Sequence, residues 1–140
     1  MPTRTKRALW TYVAETEEKA RAGAERCVVE YSDSALRHYE LLGTHLANIE
    51  GYETYAVQSE AMRKDSSAFK RGFYDSHPWG TPAQTIARAT ELAHTFGTNE
   101  LMFVFKYGDM PMAEAERSRR LFTKEVMSAL KALNPQAIVV

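Results

Sequence analysis

The side chains best suited to binding or chemistry lie next to the predicted ends of strands. In a parallel α/β fold, ligands bind outside the carboxyl ends of the strands. Several side chains near these ends combine an apolar body with a polar tip, and a glycine turn at a helix N-terminus can present free amides to an anion. The sequence therefore predicts a pocket mouth made of His77, Trp79, Gly80, Thr81, Lys106, Tyr107, Gly108 and Asp109.

No catalytic residue can be assigned within this predicted mouth. None of its polar side chains has a recognisable acid–base partner, and the turn at 80–82 also serves simply as a helix cap. The chain has no phosphate-binding loop, dinucleotide fingerprint, nucleophile elbow or HExxH zinc motif. The four histidines lack the spacing of a metal site, and the single Cys27 excludes multi-cysteine metal sites. We therefore expect no metal.

Charge and hydropathy narrow the class of protein. Eighteen Lys and Arg residues balance eighteen Asp and Glu residues, so no net charge attracts the chain to nucleic acid or to an anionic membrane. The sequence shows neither an apolar run long enough to span a bilayer nor a secretory leader. For 140 residues we expect a single cytoplasmic domain over 1–140, without a nucleic-acid or membrane partner.

The start of the chain predicts a strand followed by a helix. The strand covers about 8–14 and ends at Glu15 and Thr16, another position where a ligand would bind. Thr16 is placed to cap the helix, which is predicted to break at 32–34 and to resume up to Gly43.

From about residue 44 to 78 the pattern loosens into a lid-like or flexible segment. It contains a predicted helix at about 52–63 and a predicted short strand near 73–75. A long, partly ordered excursion in a compact domain is often a lid or a binding loop. A packing flap rich in aromatic residues explains it equally well.

A predicted capping box opens the next helix. Thr81 is the N-cap, Pro82 occupies the first helical position and Gln84 the third, while Gly97 stands where a helix-ending glycine is expected. These signals predict a helix over about 82–96.

A buried strand and a last helix follow. The apolar run at 101–107 predicts a strand covered on both faces, and Gly108 breaks it. Asp109 is placed to cap the last helix, with Pro111 in its first turn, and the apolar end of the tail at 134–140 suggests docking on a neighbour. Helix, strand and helix in this order are typical of a parallel α/β fold.

Five segments in succession resemble the C-terminal portion of bacterial luciferase-like flavin monooxygenases. They are TYVAETEEKA at 11–20, GYETY at 51–55, GTPAQ at 80–84, FKYGDMP at 105–111 and SRRLFTKEVMSAL at 118–130. No single segment is specific, but the order and spacing of all five are considerably more so. The resemblance covers the chain from about Arg7 to Leu133.

The resemblance implies the last strands and helices of a (β/α)8 barrel. We therefore expect an α/β fold that forms a partial TIM-type barrel, with about three parallel strands and helices packed on one side. Such a fold leaves sheet edges and the former barrel interior exposed, including alternate side chains of the run MFVF at 102–105. The expected cover is a second copy in a homodimer, or a partner chain that supplies the rest of the barrel.

The resemblance also implies a function. Relatives of this kind oxidise their substrate with reduced flavin and O2, so it implies FMN or a deazaflavin as cofactor and a small apolar substrate. The earlier strands, which supply much of the flavin contact in the family, have no counterpart here, and no cofactor-binding or catalytic residue is carried over. The alternatives are a non-enzymatic ligand-binding or assembly module derived from that family, or a fragment of a longer monooxygenase.

Overall fold

The computed structural model describes residues 6–98 and 100–133, and it is mostly helical (67%). The predicted docking of the tail at 134–140 lies outside these residues. The α-helices are α1 (Glu17–His38), α2 (Glu53–Lys64), α3 (Ser66–Asp75), α4 (Pro82–Phe96), α5 (Met112–Leu121) and α6 (Met127–Leu133). A 3-10 turn at His45–Asn48 precedes α2, and a π-helical segment at Phe122–Val126 joins α5 to α6.

The strands are short and pair in parallel. They are β1 (Lys6–Trp10), β2 (Tyr12–Val13), β3 (Trp79–Gly80) and β4 (Glu100–Val104). β1 pairs with β4, with Lys6 opposite Glu100 and Trp10 opposite Val104, and β2 pairs with β3. Only Thr11 separates β1 from β2, and its N–H donates to the carbonyl oxygen of Val104 at 2.9 Å. Along the chain, helices connect the two strands of each pair, because parallel strands need a long crossover connection.

The predicted partial (β/α)8 barrel is wrong. The described residues form four short strands in two two-stranded sheets, not three parallel strands covered by helices on one side. The pairing of β2 with β3 stops after two residues because the helix caps at Thr16 and Thr81 follow almost at once. Helices take up most of the chain instead, and α1 alone has 22 residues.

The predicted helix caps at Thr16, Thr81 and Gly97 are confirmed. The side chain of Thr16 accepts a hydrogen bond from the backbone N–H of Lys19 at 3.3 Å. The N–H of Gln84 donates to Thr81 Oγ1 at 3.4 Å, and the N–H of Thr81 donates back to Gln84 Oε1 at 2.9 Å. Gly97 ends α4 in the left-handed conformation, with φ of 58°. These contacts involve residues within three positions of one another, so short sequence patterns predict them.

The predicted break in the first helix at 32–34 is wrong, because α1 runs through it to His38. Ser32 is fully buried, and its hydroxyl donates to the carbonyl oxygen of Val29 at 2.5 Å, which satisfies it within the helix. Asp33 Oδ1 lies 2.6 Å from Lys70 Nζ on α3. Tertiary contacts therefore keep these residues in the helix, although their local propensity favours a turn.

The segment at 44–78 is largely helical. α2 lies where a helix is predicted, but the predicted strand at 73–75 is wrong because these residues belong to α3. Asp65 separates the two helices, and its carboxylate accepts a hydrogen bond from the N–H of Ser67 at 2.9 Å, which caps α3. Polar residues that suggest a turn in the sequence act here as an N-cap. A lid-like role for this segment stays a prediction.

The two faces of β4 are covered differently. The strand ends at Val104, three residues before the predicted end. On one face Phe103 and Phe105 pack on Phe122, with ring centroids 4.6 and 5.0 Å apart. On the other face Met102 is 54% exposed. The prediction that both faces are covered is therefore wrong at Met102.

The last helix starts later than predicted and contains a change of pitch. It begins at Met112 after Pro111, and Asp109 does not cap it. α5, the π-helical segment and α6 follow one another without a gap. A π-helical insertion changes which side chains face the protein interior, and here Phe122 and Val126 are both buried.

Two apolar clusters lie on opposite sides of β2. Successive side chains of a strand point to opposite faces, so Tyr12 enters the larger cluster and Val13 the smaller one. The buried members of the smaller cluster are Val13, Phe122 and Val126. The buried members of the larger cluster are Tyr12, Ala14, Ala20, Ala24, Cys27, Val28, Tyr107, Met110 and Ala115.

Exposed apolar side chains concentrate between the end of α1 and α2. Tyr39, Ile49, Tyr52, Tyr55 and Val57 are each more than 40% exposed. We call these five residues the aromatic surface. No helix among the described residues has the length and apolar content needed to cross a bilayer.

Candidate functional site

A cleft of about 490 Å³ opens where β2 ends, beside the first half of α1 and α5. The carboxyl end of a parallel strand is a common ligand site in α/β proteins, and small-molecule sites have volumes of about 300–1,000 Å³. We call it the carboxyl-end cleft. Its lining residues are Tyr12, Val13, Ala14, Glu15, Lys19, Ala22, Gly23, Arg26, Glu114, Arg117, Ser118 and Leu121.

Three polar side chains meet in the wall of this cleft. Glu114 Oε1 accepts a hydrogen bond from the hydroxyl of Tyr12 and another from Arg26 Nη2, each at 2.5 Å. One turn further along α5, Ser118 Oγ accepts a hydrogen bond from the N–H of Val13 at 2.9 Å. The carboxylate of Glu114 therefore joins β2, α1 and α5, the three elements that enclose the cleft.

These contacts set the charge of the cluster. Burial alone would raise the pKa of Glu114, but the hydrogen bonds from Tyr12 and Arg26 outweigh it and hold this pKa below its ordinary value. Burial, and then the hydrogen bond to Glu114, raise the pKa of Tyr12. The same carboxylate raises the pKa of Arg26. Near neutral pH the cluster is a carboxylate, a phenol and a guanidinium, and none of the three changes its protonation there.

Two further cations line the cleft. Lys19 Nζ lies 3.9 Å from Glu15 Oε2, at the limit of an ion pair. Arg117 is exposed, and its guanidinium makes no hydrogen bond or ion pair with the part of the chain that the structure describes. Together with Arg26, these residues place three cations against the carboxylates of Glu15 and Glu114. The cleft thus has an excess of positive charge that favours an anionic ligand.

Gly23 allows the ring of Tyr12 to lie directly against α1. A Cβ atom at this position would be 2.1 Å from the Cζ atom of Tyr12, far inside van der Waals contact. The hydroxyl that reaches Glu114 therefore depends on a glycine in the interior of a helix.

His77, the first of the predicted mouth residues, is buried and only 4% exposed. Its Nδ1 accepts a hydrogen bond from the N–H of Trp10 at 3.3 Å, and its ring lies 4.4 Å from that of Phe73 between centroids. Burial, and then the charges of Arg7 and Arg88, lower the pKa of His77 to about 4. His77 is therefore a neutral residue of the core.

Trp79, Gly80 and Thr81 form the turn that enters α4. The indole N–H of Trp79 donates to the carbonyl oxygen of Tyr74 at 3.1 Å. Gly80 is buried with φ of 146°, and a Cβ atom there would be 2.7 Å from that of Gln84. Thr81 caps the helix as predicted, and binding of an anion by this turn stays a prediction.

Tyr107 is also part of the core. It is 5% exposed, its ring meets that of Tyr31 edge-on at 5.8 Å, and its hydroxyl donates to the carbonyl oxygen of Thr11 at 3.4 Å. Burial raises the pKa of its hydroxyl, so Tyr107 stays a neutral phenol.

The residues around Tyr107 are exposed. Lys106 Nζ donates to the carbonyl oxygen of Gly108 at 2.9 Å, and Gly108 turns the chain with φ of 54°. Asp109 shares a hydrogen bond with the carboxyl group of Glu30, which raises the pKa of Glu30. Lys106 borders a second, mainly apolar cleft of about 430 Å³. Its other lining residues are Phe105, Met112, Ala115, Glu116 and Arg119.

None of the eight predicted mouth residues lines the carboxyl-end cleft. The ring of His77 contacts that of Trp10, Tyr107 contacts Tyr31 and Trp79 contacts Tyr74, whereas Lys106 and Asp109 stay on the surface. No residue of the segment at 44–78 lines the cleft either.

The residues that the sequence reading missed come from distant parts of the chain. Arg26 and Glu114 are 88 positions apart, and Tyr12 and Glu114 are 102 apart, so no motif spacing links them. The available signal was the strand end at Glu15, which does line the cleft. A glycine inside a helix, Gly23, was a second signal, since it marks a close approach.

The remaining candidate groups are the single cysteine and possible metal ligands. Cys27 is a buried free thiol, and burial raises its pKa to about 11, which keeps it protonated and inert. No group of three His, Cys, Asp or Glu residues within 6–98 and 100–133 is arranged to hold a metal ion.

Comparison with known proteins adds no relative, because no family model, no curated protein and no solved structure matches this chain. The similarity to luciferase-like monooxygenases therefore stays a prediction from the sequence segments.

Proposed function

We propose that this chain is a flavin-binding relative of the luciferase-like monooxygenases, and that the carboxyl-end cleft binds the phosphate end of FMN. The excess of positive charge in the cleft, with the guanidinium of Arg117 uncommitted among the described residues, carries this proposal. An arginine fork offers paired donors to phosphate oxygens, and such charge-assisted bonds are strong.

The cleft and the family resemblance involve the same parts of the chain. Tyr12 to Lys19 belong to the segment TYVAETEEKA, and Ser118 and Leu121 belong to SRRLFTKEVMSAL. Two of the five segments that support the resemblance therefore meet at one site. This overlap of the segments with a charged cleft is the reason to choose FMN as the first anion to test.

The residues of the cleft fit a phosphate group. Arg117 and Lys19 are exposed cations that line the cleft, while Arg26 donates a hydrogen bond to Glu114 in its wall. Bound reduced flavin would supply the electrons for reduction of O2. The cluster of Tyr12, Arg26 and Glu114 keeps its protons near neutral pH, so its part is to hold the walls and orient the ligand.

A non-enzymatic binding module is the second candidate. His77 and Tyr107, the mouth side chains that sequence reasoning favoured, are buried and bonded within the core. In the carboxyl-end cleft, the hydrogen-bonded pair of Tyr12 and Glu114 has the pKa of Tyr12 raised and the pKa of Glu114 lowered, both away from neutral pH. Such a protein would bind FMN without accelerating its reaction with O2.

Fluorescence titration with FMN tests the proposal. We expect saturable quenching with a Kd in the micromolar range, and a Kd about tenfold higher for Arg117→Gln, since loss of a charge-assisted bond costs about 1.5 kcal/mol or more. Arg119→Gln is the matched control, because Arg119 lies on the same helix but lines the second cleft. Riboflavin, which lacks the phosphate, should bind weakly and with equal affinity to both variants.

The outcomes separate the candidates. No saturation up to about 1 mM FMN, weaker than about −4 kcal/mol, rejects flavin binding. Binding that is indifferent to Arg117→Gln rejects the carboxyl-end cleft as the site. Phosphate-dependent binding with O2 consumption no faster than that of free reduced FMN supports the non-enzymatic module.

A further inference from the structure

β4 is an edge strand in the part of the chain that the structure describes. Its one neighbour there is β1, and the carbonyl oxygen of Val104 accepts the N–H of Thr11 on that side. In a strand, the N–H and C=O of one residue point to the same edge, and successive residues alternate. Leu101 and Phe103 therefore direct their backbone donors and acceptors to the opposite edge.

Within Glu100–Val104 this edge carries no lysine, proline or bulge. Edge strands of stable monomers are blunted by lysine, proline or a bulge, whereas β4 reads Glu-Leu-Met-Phe-Val and pairs in continuous register. Apolar side chains are exposed beside it, with Met102 54% and Met112 67% exposed. An apolar cleft bordered by Phe105 and Met112 continues past the end of the strand.

We propose that β4 pairs with β4 of a second copy of this chain, antiparallel and about a two-fold axis at Phe103. Phe103 is an outward-facing residue, so at the axis it exchanges N–H and C=O bonds with Phe103 of the second copy. Leu101 then lies opposite Phe105, which places apolar residues against each other. The two two-stranded sheets formed by β1 and β4 become one four-stranded sheet.

Charge complementarity selects a second copy in this register. With the two-fold axis at Phe103, residues equally far before and after Phe103 face each other across the two copies. Glu100 of each copy therefore faces Lys106 of the other. Glu100 already pairs with Lys6 at 3.1 Å, and Lys106 is exposed at the end of the edge. A parallel in-register pairing would instead place Glu100 against Glu100 and Lys106 against Lys106, which is repulsive. The contact is self-complementary and uses one edge of each copy, so it closes at a dimer.

Sedimentation equilibrium with proline and alanine variants at Leu101 tests the dimer. Leu101→Pro removes an N–H that faces the free edge and leaves the β1-facing groups of β4 in place. We expect the wild type and Leu101→Ala to dimerise at about 10 µM, and Leu101→Pro to require at least about tenfold more protein. An unchanged far-UV circular dichroism spectrum establishes that Leu101→Pro is folded.

A charge variant tests the register. Lys106→Glu places two carboxylates opposite each other at both ends of the paired edge, so we expect its dimer to be about tenfold weaker than that of Lys106→Gln. A wild type that is monomeric at about 100 µM overturns the proposal. So does a folded Leu101→Pro variant that dimerises as well as the wild type, and equal affinities for Lys106→Glu and Lys106→Gln overturn the register.

Discussion

At Glu114, donors from two distant parts of the chain converge on one oxygen atom. Tyr12 and Arg26 both approach at 2.5 Å, and their joint effect is to keep Glu114 charged although it is partly buried. A lone buried carboxylate would be costly, and removing one partner of such a group is expensive. The hydrogen bonds of Glu114 therefore link β2, α1 and α5 in the wall of the cleft.

His77 provides a residue-scale test through pH. Its pKa in the folded protein, about 4, lies below the ordinary value of 6.5. As the pH falls from 6.5 to 4, the unfolded chain takes up this proton first, and stability is lost by up to about 3 kcal/mol. We expect the difference in free energy of unfolding between the wild type and His77→Gln to decrease as the pH falls over this range. Urea unfolding at several pH values measures it.

His94→Gln is the control for this experiment. His94 is exposed in the last turn of α4, so its removal leaves the buried imidazole in place. A gap between the wild type and His77→Gln that stays constant from pH 7 to pH 4 would contradict the burial argument. The comparison of variants cancels the carboxyl groups that titrate over the same range.

Among the elements, two helices differ in whether packing against another residue requires their interior glycine. α1 and α3 each contain a glycine in their interior, at Gly23 and Gly72. A Cβ atom at Gly72 would meet no atom within 4 Å, whereas at Gly23 it would strike the ring of Tyr12. The helical backbone is the same at both sites, so only the packing distinguishes them.

Two alanine substitutions measure this difference. We expect Gly72→Ala to raise the free energy of unfolding by about 0.5–1 kcal/mol, because alanine favours the helix. Gly23→Ala should lower it by about 1–3 kcal/mol through overpacking. Chemical denaturation of both variants checks the signs. Equal stabilisation by the two substitutions would show that Tyr12 does not press on α1.

Over the whole molecule, stability is expected to be uneven. Neither apolar cluster contains a residue of α2, and Ser59 is the one buried residue of that helix. The aromatic surface lies on and before this helix. α1, in contrast, has seven buried residues and spans the larger cluster.

Hydrogen exchange followed by mass spectrometry tests this contrast. We expect amides at 53–64 to exchange at least about tenfold faster, after correction for intrinsic rates, than those at 20–36, because local opening of α2 exposes little apolar area. Equal protection of the two helices would mean that α2 opens only with the whole molecule. In that case the aromatic surface would be covered in solution.

The accuracy of the sequence-based predictions follows the range of the interactions. The caps at Thr16 and Thr81 and the helix end at Gly97 were predicted, because each involves donors and acceptors within one helical turn. The break at 32–34 and the strand at 73–75 were wrong, because contacts such as Asp33 with Lys70 override local preference. The predicted mouth depended on where the strands of a parallel α/β fold were expected to end, and burial places His77 and Tyr107 in the core.

The sequence by itself determined the start of α1, both ends of α4 and the approximate span of α2, and which residue types face an apolar interior. These properties depend on local hydrogen bonds and on the periodicity of apolar side chains. Only the tertiary structure decided that Tyr12, Arg26 and Glu114 meet, that Arg117 faces a cleft, and that one edge of β4 has no neighbour among the described residues. Such contacts join positions up to 102 residues apart, and no local pattern encodes which distant groups will approach.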